Sequence, residues 1–177
     1  MATPSFDKSL TLPEQPAELL LALTLYGEAR GETALGKRAV AWVVRNRQDV
    51  AKRWLDLKGR AHPLFGNGSI AGVVLKPWQF SCWDKGDPNL HKLLDLVQTD
   101  GAGAGAMWPV LVAVATGVLT GEWEDPTFGA THYCTVGLWA VDDAEKERPR
   151  WHSQQEIESG RTKELVTLGN HVFARAT

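Results

Sequence analysis

The segment from Leu19 to Glu32 constrains the fold most strongly, because a very apolar helix in it runs directly into a cluster of charges. Leu19, Leu20 and Leu23 recur at helical spacing, which predicts an amphipathic or buried helix over about residues 17–29. A helix of this kind needs other elements to cover it. The sequence therefore predicts a packed domain built around this segment.

The charged end of this helix is a candidate functional site. Gly27 and Gly31 weaken the helix and bracket Glu28, and such local departures from good helix composition often mark functional positions. A glutamate carried at the edge of an apolar helix is suited to general acid catalysis. The plainer interpretation is a solvated surface glutamate. Its neighbours Tyr26 and Glu32 are candidate substrate contacts.

Four sequence blocks resemble one enzyme family in their order along the chain. They are YGEARGE at 26–32, VAWVVRNR at 40–47, PWQFSCW at 77–83 and GATHY at 129–133. Together they resemble the cell wall hydrolase family of the spore cortex-lytic enzyme SleB. The resemblance implies a lysozyme-like fold, cleavage of the glycan strand of peptidoglycan, and Glu28 as the catalytic acid.

Two of these blocks supply further candidate substrate contacts. The resemblance implies that the segment 79–83 borders the active site. Alternation in it predicts a short strand or extended segment with one apolar face and one polar face that could line a cleft, against the alternative of ordinary turn hydrogen bonds. The candidates in the two blocks are Gln79, Ser81, Trp83, Thr131, His132 and Tyr133.

The predicted fold class is α+β, a mainly helical lysozyme-like domain with a small β-sheet. Residues 1–15 are predicted to form a flexible N-terminal arm, and 16–177 a single catalytic domain. Further helices are predicted over 33–54, 70–76, 87–99 and 108–120. Strands are predicted over 79–83 and 127–136, an irregular region over 138–155, and a strand or strand pair over 165–174 around Gly169-Asn170.

Composition narrows the classes of binding partner that this chain can have. A net charge of −2 argues against a dedicated nucleic-acid binder, and no apolar run is long enough to cross a membrane. We expect a monomer that acts on peptidoglycan without a cofactor. Because the first residues lack an apolar leader segment, we expect synthesis in the cytoplasm and action on the bacterial wall, as in a phage endolysin released through a holin.

The reaction itself is left open by the sequence. A lytic transglycosylase needs one glutamate as acid and then base, whereas a muramidase normally adds a second carboxylate. Candidates for that second group are Glu32, Asp84, Glu124 and Asp125, none of them compelling. Family members are described as lytic transglycosylases, so the resemblance favours that reaction.

Two other classes of protein compete with a glycosidase. His132, Cys134 and His171 could ligate zinc in an amidase, and Cys82 or Cys134 could be the nucleophile of a peptidase, although no metal site is expected. Many relatives carry a second histidine at the position of Cys134, which weakens any role there that needs imidazole. A noncatalytic glycan-binding module would account for the eight tryptophans.

Overall fold

The computed structural model describes residues 4–140 and 150–176. Helices dominate this part of the chain, and a small antiparallel sheet completes it, so the predicted α+β class is confirmed. The helices are α1 (Ala17–Ala29), α2 (Ala34–Lys58), α3 (Ile70–Val74), α4 (Leu90–Gln98), α5 (Met107–Thr120), α6 (Val136–Trp139) and α7 (Gln154–Glu158), and the strands are β1 (His132–Thr135), β2 (Thr162–Leu168) and β3 (His171–Ala176).

Helix α1 is the centre of the hydrophobic core. Every side chain from Leu19 to Leu25 is at most 1% exposed, so the helix is buried on all sides. It contacts α2, α3, α4 and α5, which surround it. Because a helix covered on every face cannot move without disturbing its neighbours, its last turn is a rigid platform for Glu28.

Helix α2 is longer than predicted. Its start agrees with the sequence, since the Thr33 hydroxyl accepts a hydrogen bond from the Gly36 amide at 3.1 Å. Its predicted end at Trp54 is wrong, because the helix continues to Lys58. Gly59 ends it in a left-handed conformation, with φ of 64°, and its N–H donates to the Leu55 carbonyl.

The predicted strand over 79–83 is wrong. Ser81–Trp83 forms a 3₁₀ turn, closed by the Trp83 N–H on the Phe80 carbonyl and the Asp84 N–H on the Ser81 carbonyl. Phe80 and Cys82 are nevertheless buried, as the alternation indicated. Both a strand and a docked turn bury such alternate residues, so the pattern alone could not distinguish them.

Two other elements are shorter than predicted because aspartates form local turns. Asp125 accepts hydrogen bonds from the Thr127 and Gly129 amides, so strand β1 begins only at His132. Asp87 similarly accepts from the Asn89 amide, and α4 begins after it. The predicted irregular region, 138–155, overlaps the end of α6 and the start of α7, and its residues 141–149 lie outside the described chain.

The sheet has the strand order β1-β3-β2, with both pairs antiparallel. The predicted strand pair around Gly169-Asn170 is confirmed as β2 and β3. Tyr133 pairs with Phe173, and Thr135 pairs with His171, so these four side chains share one face of the sheet. That face turns Tyr133 towards the end of α1.

The described part of the predicted N-terminal arm contacts the domain. Phe6 is 7% exposed and packs near Trp108, and its amide donates to Asp100 at 2.9 Å. The division into arm and domain stays a prediction. Among the described helices, none combines the length and apolarity that crossing a membrane requires.

Candidate functional site

Glu28 lies at the end of α1 in an open cleft of about 600 Å³, which we call the acid cleft. Its carboxylate is half-buried and is held by two donors. The Cys82 amide donates to Oε1 at 3.1 Å, and the Tyr133 hydroxyl donates to Oε2 at 2.9 Å. The two bonds fix the carboxylate in one orientation, while the cleft leaves it accessible to a ligand.

Gly27 explains how the Cys82 amide reaches this carboxylate. A β-carbon at position 27 would lie 2.4 Å from Cβ and 2.7 Å from Sγ of Cys82. Only a residue without a side chain allows the 3₁₀ turn to pack this closely on α1. The glycine that weakens the helix in sequence is therefore what brings the Cys82 N–H to Glu28.

Tyr133 is held as a hydrogen-bond donor by its surroundings. Burial raises the pKa of its hydroxyl well above the ordinary value, and the neighbouring Glu28 charge raises it further. The hydroxyl therefore stays protonated at neutral pH. Its ring stacks on Phe173 at 5.9 Å and meets His171 edge-on at 5.2 Å, which fixes its direction.

Arg47 lies at the base of the acid cleft, and the sequence analysis did not identify it. Its guanidinium donates to the carbonyls of Thr131 at 2.6 Å and Gln79 at 3.3 Å, so it ties β1 to the loop before the 3₁₀ turn. Burial lowers its pKa to about 10, which leaves it charged at neutral pH. Its helical spacing from Val40 and Val43, which lie on the buried face of α2, was the sequence feature that could have identified it.

An aromatic wall closes one side of the acid cleft. His132 lies 6.0 Å from Phe65 and 4.9 Å from Trp151 between ring centroids, and all three line the cleft. Burial lowers the pKa of His132 to about 3, and the nearby charge of Arg47 lowers it as well. This histidine is therefore neutral at neutral pH and belongs to a largely apolar surface.

Trp78 is a second residue that the sequence analysis did not single out. Its side chain is 87% exposed at the rim of the acid cleft, and its φ of 69° is left-handed. Such a backbone costs on the order of 1–3 kcal/mol for a residue other than glycine and tends to occur at functional sites. An exposed indole in a strained backbone is a suitable platform for a sugar ring.

The structure gathers five of the predicted site residues around one cavity. Those that line the acid cleft are Glu28, Gln79, Ser81, His132 and Tyr133. The arrangement agrees with the predicted site, although their roles in catalysis and binding stay predictions.

The other four predicted residues lie outside that lining. The ring of Tyr26 packs under Arg30, and Glu32 faces the His171 ring at 3.5 Å. Trp83 is anchored by its indole N–H, which donates to the Thr24 hydroxyl at 3.1 Å. Thr131 lines the neighbouring cavity.

The candidates for a second carboxylate do not join Glu28. Asp125 is engaged with Asn46 and its own turn, and Glu32 faces His171. Among the described residues that line the acid cleft, Glu28 is the only carboxylate.

The zinc and thiol hypotheses are not supported by this geometry. His132 and Cys134 point to one face of the sheet, whereas His171 lies on the other with Tyr133. No cluster of three or more potential metal ligands occurs within residues 4–140 and 150–176. Burial and the adjacent Glu28 charge raise the pKa of the Cys82 thiol well above its ordinary value, which makes it a poor nucleophile.

Comparisons with known proteins agree with this architecture. A family model described as Cell Wall Hydrolase matches residues 31–174, a range that begins after Glu28. The structure resembles the catalytic domain of the germination-specific lytic transglycosylase SleB from Bacillus anthracis, with 20% identity, a TM-score of 0.55, and coverage of 96% of this chain and 99% of that one.

A second solved structure, the catalytic domain of the Bacillus cereus SleB protein, shows a similar match. Its identity is 20% and its TM-score 0.52, with 96% of this chain and 95% of that chain covered. These likenesses show a shared fold. A search of curated proteins finds no match.

Proposed function

The chain belongs to the cell wall hydrolase family, and from this premise we propose that it cleaves the MurNAc–GlcNAc bond of peptidoglycan as a lytic transglycosylase. One observation carries the proposal. The Glu28 carboxylate stands in an open cleft with both oxygens hydrogen-bonded by fixed donors, the Cys82 amide and the Tyr133 hydroxyl.

In the first step, protonated Glu28 gives its proton to the glycosidic oxygen as the bond to the anomeric carbon breaks. The transition state has oxocarbenium character, and the departing sugar leaves as an alcohol. The two donors stabilise the carboxylate that remains, because hydrogen bonds to an ionised acceptor are stronger than neutral ones. The N-acetyl group of the substrate itself can stabilise the positive anomeric carbon.

In the second step, the same carboxylate acts as a base. It removes the proton from the C6 hydroxyl of the muramic acid, and the C6 oxygen bonds to the anomeric carbon. A 1,6-anhydro ring forms, and Glu28 is protonated again for the next cycle. One carboxylate therefore suffices for the whole reaction, which fits the acid cleft.

Two observations support ring closure over hydrolysis. In the described lining of the acid cleft, Glu28 has no partner carboxylate to activate water. The structurally similar Bacillus anthracis protein is described as a lytic transglycosylase. The second candidate function is a muramidase that uses the same Glu28 as acid.

The biological setting is a separate proposal. A chain made in the cytoplasm and acting on the bacterial wall fits a phage endolysin that reaches peptidoglycan through a holin. Lysis of a host on co-expression with a holin, and its absence without one, would support this setting.

Mass spectrometry of products from purified peptidoglycan tests the enzymatic proposal. Wild type should release anhydro-muramyl fragments, and Glu28→Gln should lower the rate by about 10³-fold, the scale of general acid catalysis. A chelator should leave both rates unchanged. Glycan strands that stay intact while amide bonds are cleaved would contradict the proposal.

A further inference from the structure

A second cavity adjoins the acid cleft on the far side of the aromatic wall. Its volume is about 740 Å³, and it shares Leu64, Phe65, His132 and Trp151 with the acid cleft. The two cavities are therefore immediate neighbours along these four residues.

The second cavity is lined by two arginines, Arg53 and Arg175, and we call it the cationic cavity. Arg53 is exposed, and within the described chain no hydrogen bond or ion pair holds its guanidinium. Arg175 donates from Nη2 to the Phe128 carbonyl at 2.8 Å, which steadies it and leaves its other N–H groups available.

The carboxylates near these arginines are already engaged. Asp49, which also lines the cationic cavity, pairs with Arg45 at 3.3 Å. Asp125 lies near Gly129 and is held by the Asn46 amide and its own turn. The arginines of the cavity therefore keep an excess of positive charge.

The sheet adds a further positive charge beside Arg175. Lys163 on β2 is its direct cross-strand partner in the register of β2 and β3. Like charges directly opposite each other destabilise a sheet, so the pair carries a cost that an anionic ligand would offset. Lys163 does not itself line the cationic cavity, but it adds positive charge next to Arg175, which does.

We propose that the cationic cavity binds the carboxylates of the peptide stem of peptidoglycan, a proposal that rests on the proposed cleavage of the glycan strand. The stem is a short acidic peptide attached to the lactyl group of the muramic acid whose bond is cut. With the sugar in the acid cleft, its stem departs beside the reacting centre, where the cationic cavity opens. Guanidinium groups match carboxylates in charge and in planar geometry.

An extension of the glycan strand itself would fit this cavity less well than the stem peptide. In a peptide-bearing strand the lactyl carboxyl is amide-bonded to the stem, so the backbone sugars offer only uncharged hydroxyl and acetamido groups to Arg53 and Arg175. The aromatic wall suits sugars or the lactyl methyl, whereas the far side of the cavity suits an anion. The arrangement therefore favours substrates that keep their peptides.

The test compares glycan strands that carry stem peptides with strands stripped of them by an amidase. Arg53→Glu should raise KM about tenfold on peptide-bearing strands, since it replaces one charge-assisted contact with repulsion. Stripped strands keep only the lactyl carboxylate of each muramic acid and none of the stem carboxylates, so the same substitution should change their KM by about twofold or less. Arg53→Lys, which keeps the charge, should restore most of the affinity, and Lys92→Glu on α4 makes the same charge reversal far from the cavity as a control.

Binding of a free stem peptide separates this proposal from the proposed function. We expect Glu28→Gln protein to bind an L-Ala–D-Glu–diamino acid peptide, more weakly at high salt and when its carboxylates are amidated. Binding that depends on Arg53, together with a wild-type protein that cleaves no glycan, would support the cavity and overturn the glycosidase. Equal effects of Arg53→Glu on both kinds of strand, or none on either, would overturn the cavity proposal.

Discussion

The acid cleft and the cationic cavity lie side by side and hold their polar groups in opposite ways. In the acid cleft, hydrogen bonds tie Glu28, Tyr133 and Arg47 to neighbouring groups, and Arg47 is also buried. In the cationic cavity, Arg53 and Arg175 are exposed. Within the part of the chain that the structure describes, the one hydrogen bond from these two guanidinium groups is that of Arg175 to the Phe128 carbonyl.

This difference indicates that the two cavities have separate roles. Groups fixed before a ligand arrives can stabilise charge in a transition state at no reorganisation cost, so the acid cleft suits chemistry. Groups free to adjust suit recognition of a variable ligand. Substitutions in the acid cleft should therefore lower kcat, and substitutions in the cationic cavity should raise KM.

Among the following substitutions, removing the Tyr133 hydroxyl should have the largest effect on kcat. Tyr133→Phe leaves Glu28 with one fewer donor to its carboxylate, and a hydrogen bond to a charged group contributes about 1.5–3 kcal/mol. We expect kcat to fall about 10- to 100-fold with KM little changed. The chain has two tyrosines, and Tyr26→Phe is the matched control, since Tyr26 lies outside the cleft lining. Equal losses in both variants would contradict the role of Tyr133.

Gly27→Ala should damage both stability and activity. The new methyl group would collide with Cys82, and overpacking of this kind costs about 1–3 kcal/mol. Movement of the turn would also withdraw the Cys82 amide from Glu28. The midpoint temperature of thermal unfolding and kcat should both fall. Gly31→Ala is the control, because a β-carbon there meets nothing within 4 Å; a loss as large as that of Gly27→Ala would contradict the steric argument.

The two tryptophans near the cleft should respond differently to removal. Trp78→Ala should raise KM about fivefold without loss of stability, because an exposed stacking platform contributes about 1 kcal/mol to binding and little to folding. Trp83→Ala should instead lower the free energy of unfolding by about 2–4 kcal/mol, since its ring is partly buried and anchored to Thr24. Steady-state kinetics and denaturant unfolding measure the two effects, and unchanged KM for Trp78→Ala would refute the platform.

His132 should make the protein sensitive to acid and leave it unaffected near neutrality. Its pKa is about 3 when folded and 6.5 ordinarily, so between these values only the unfolded chain takes up the proton. Protonation of His132 in the unfolded chain should therefore lower the free energy of unfolding by about 1.4 kcal/mol for each pH unit between 6.5 and about 3. His132→Gln should remove that contribution. Parallel pH slopes for wild type and variant would show that burial does not hold His132 neutral.

The sequence singled out Glu28 because an apolar helix and two glycines made one short segment unusual, and because the family resemblance implied an acid there. The structure places Glu28 in the acid cleft, and its catalytic role stays a prediction. Trp78 could not, because its exposure depends on a left-handed backbone in a loop. The 3₁₀ turn was read as a strand because burial of Phe80 and Cys82 reflects contact with α1, which alternation cannot reveal. The helical spacing of Arg47 would have indicated a position on the buried face of α2, but a charged residue is not normally assigned to an apolar helix face.

The most direct test of the central claim is digestion of peptidoglycan in water labelled with oxygen-18. A transglycosylase closes the ring with the sugar's own C6 oxygen, so its muramyl product carries no label and is lighter by one water than a hydrolysis product. We predict unlabelled anhydro ends from wild type and none from Glu28→Gln. Labelled reducing muramic ends that depend on Glu28 would contradict ring closure and identify a muramidase.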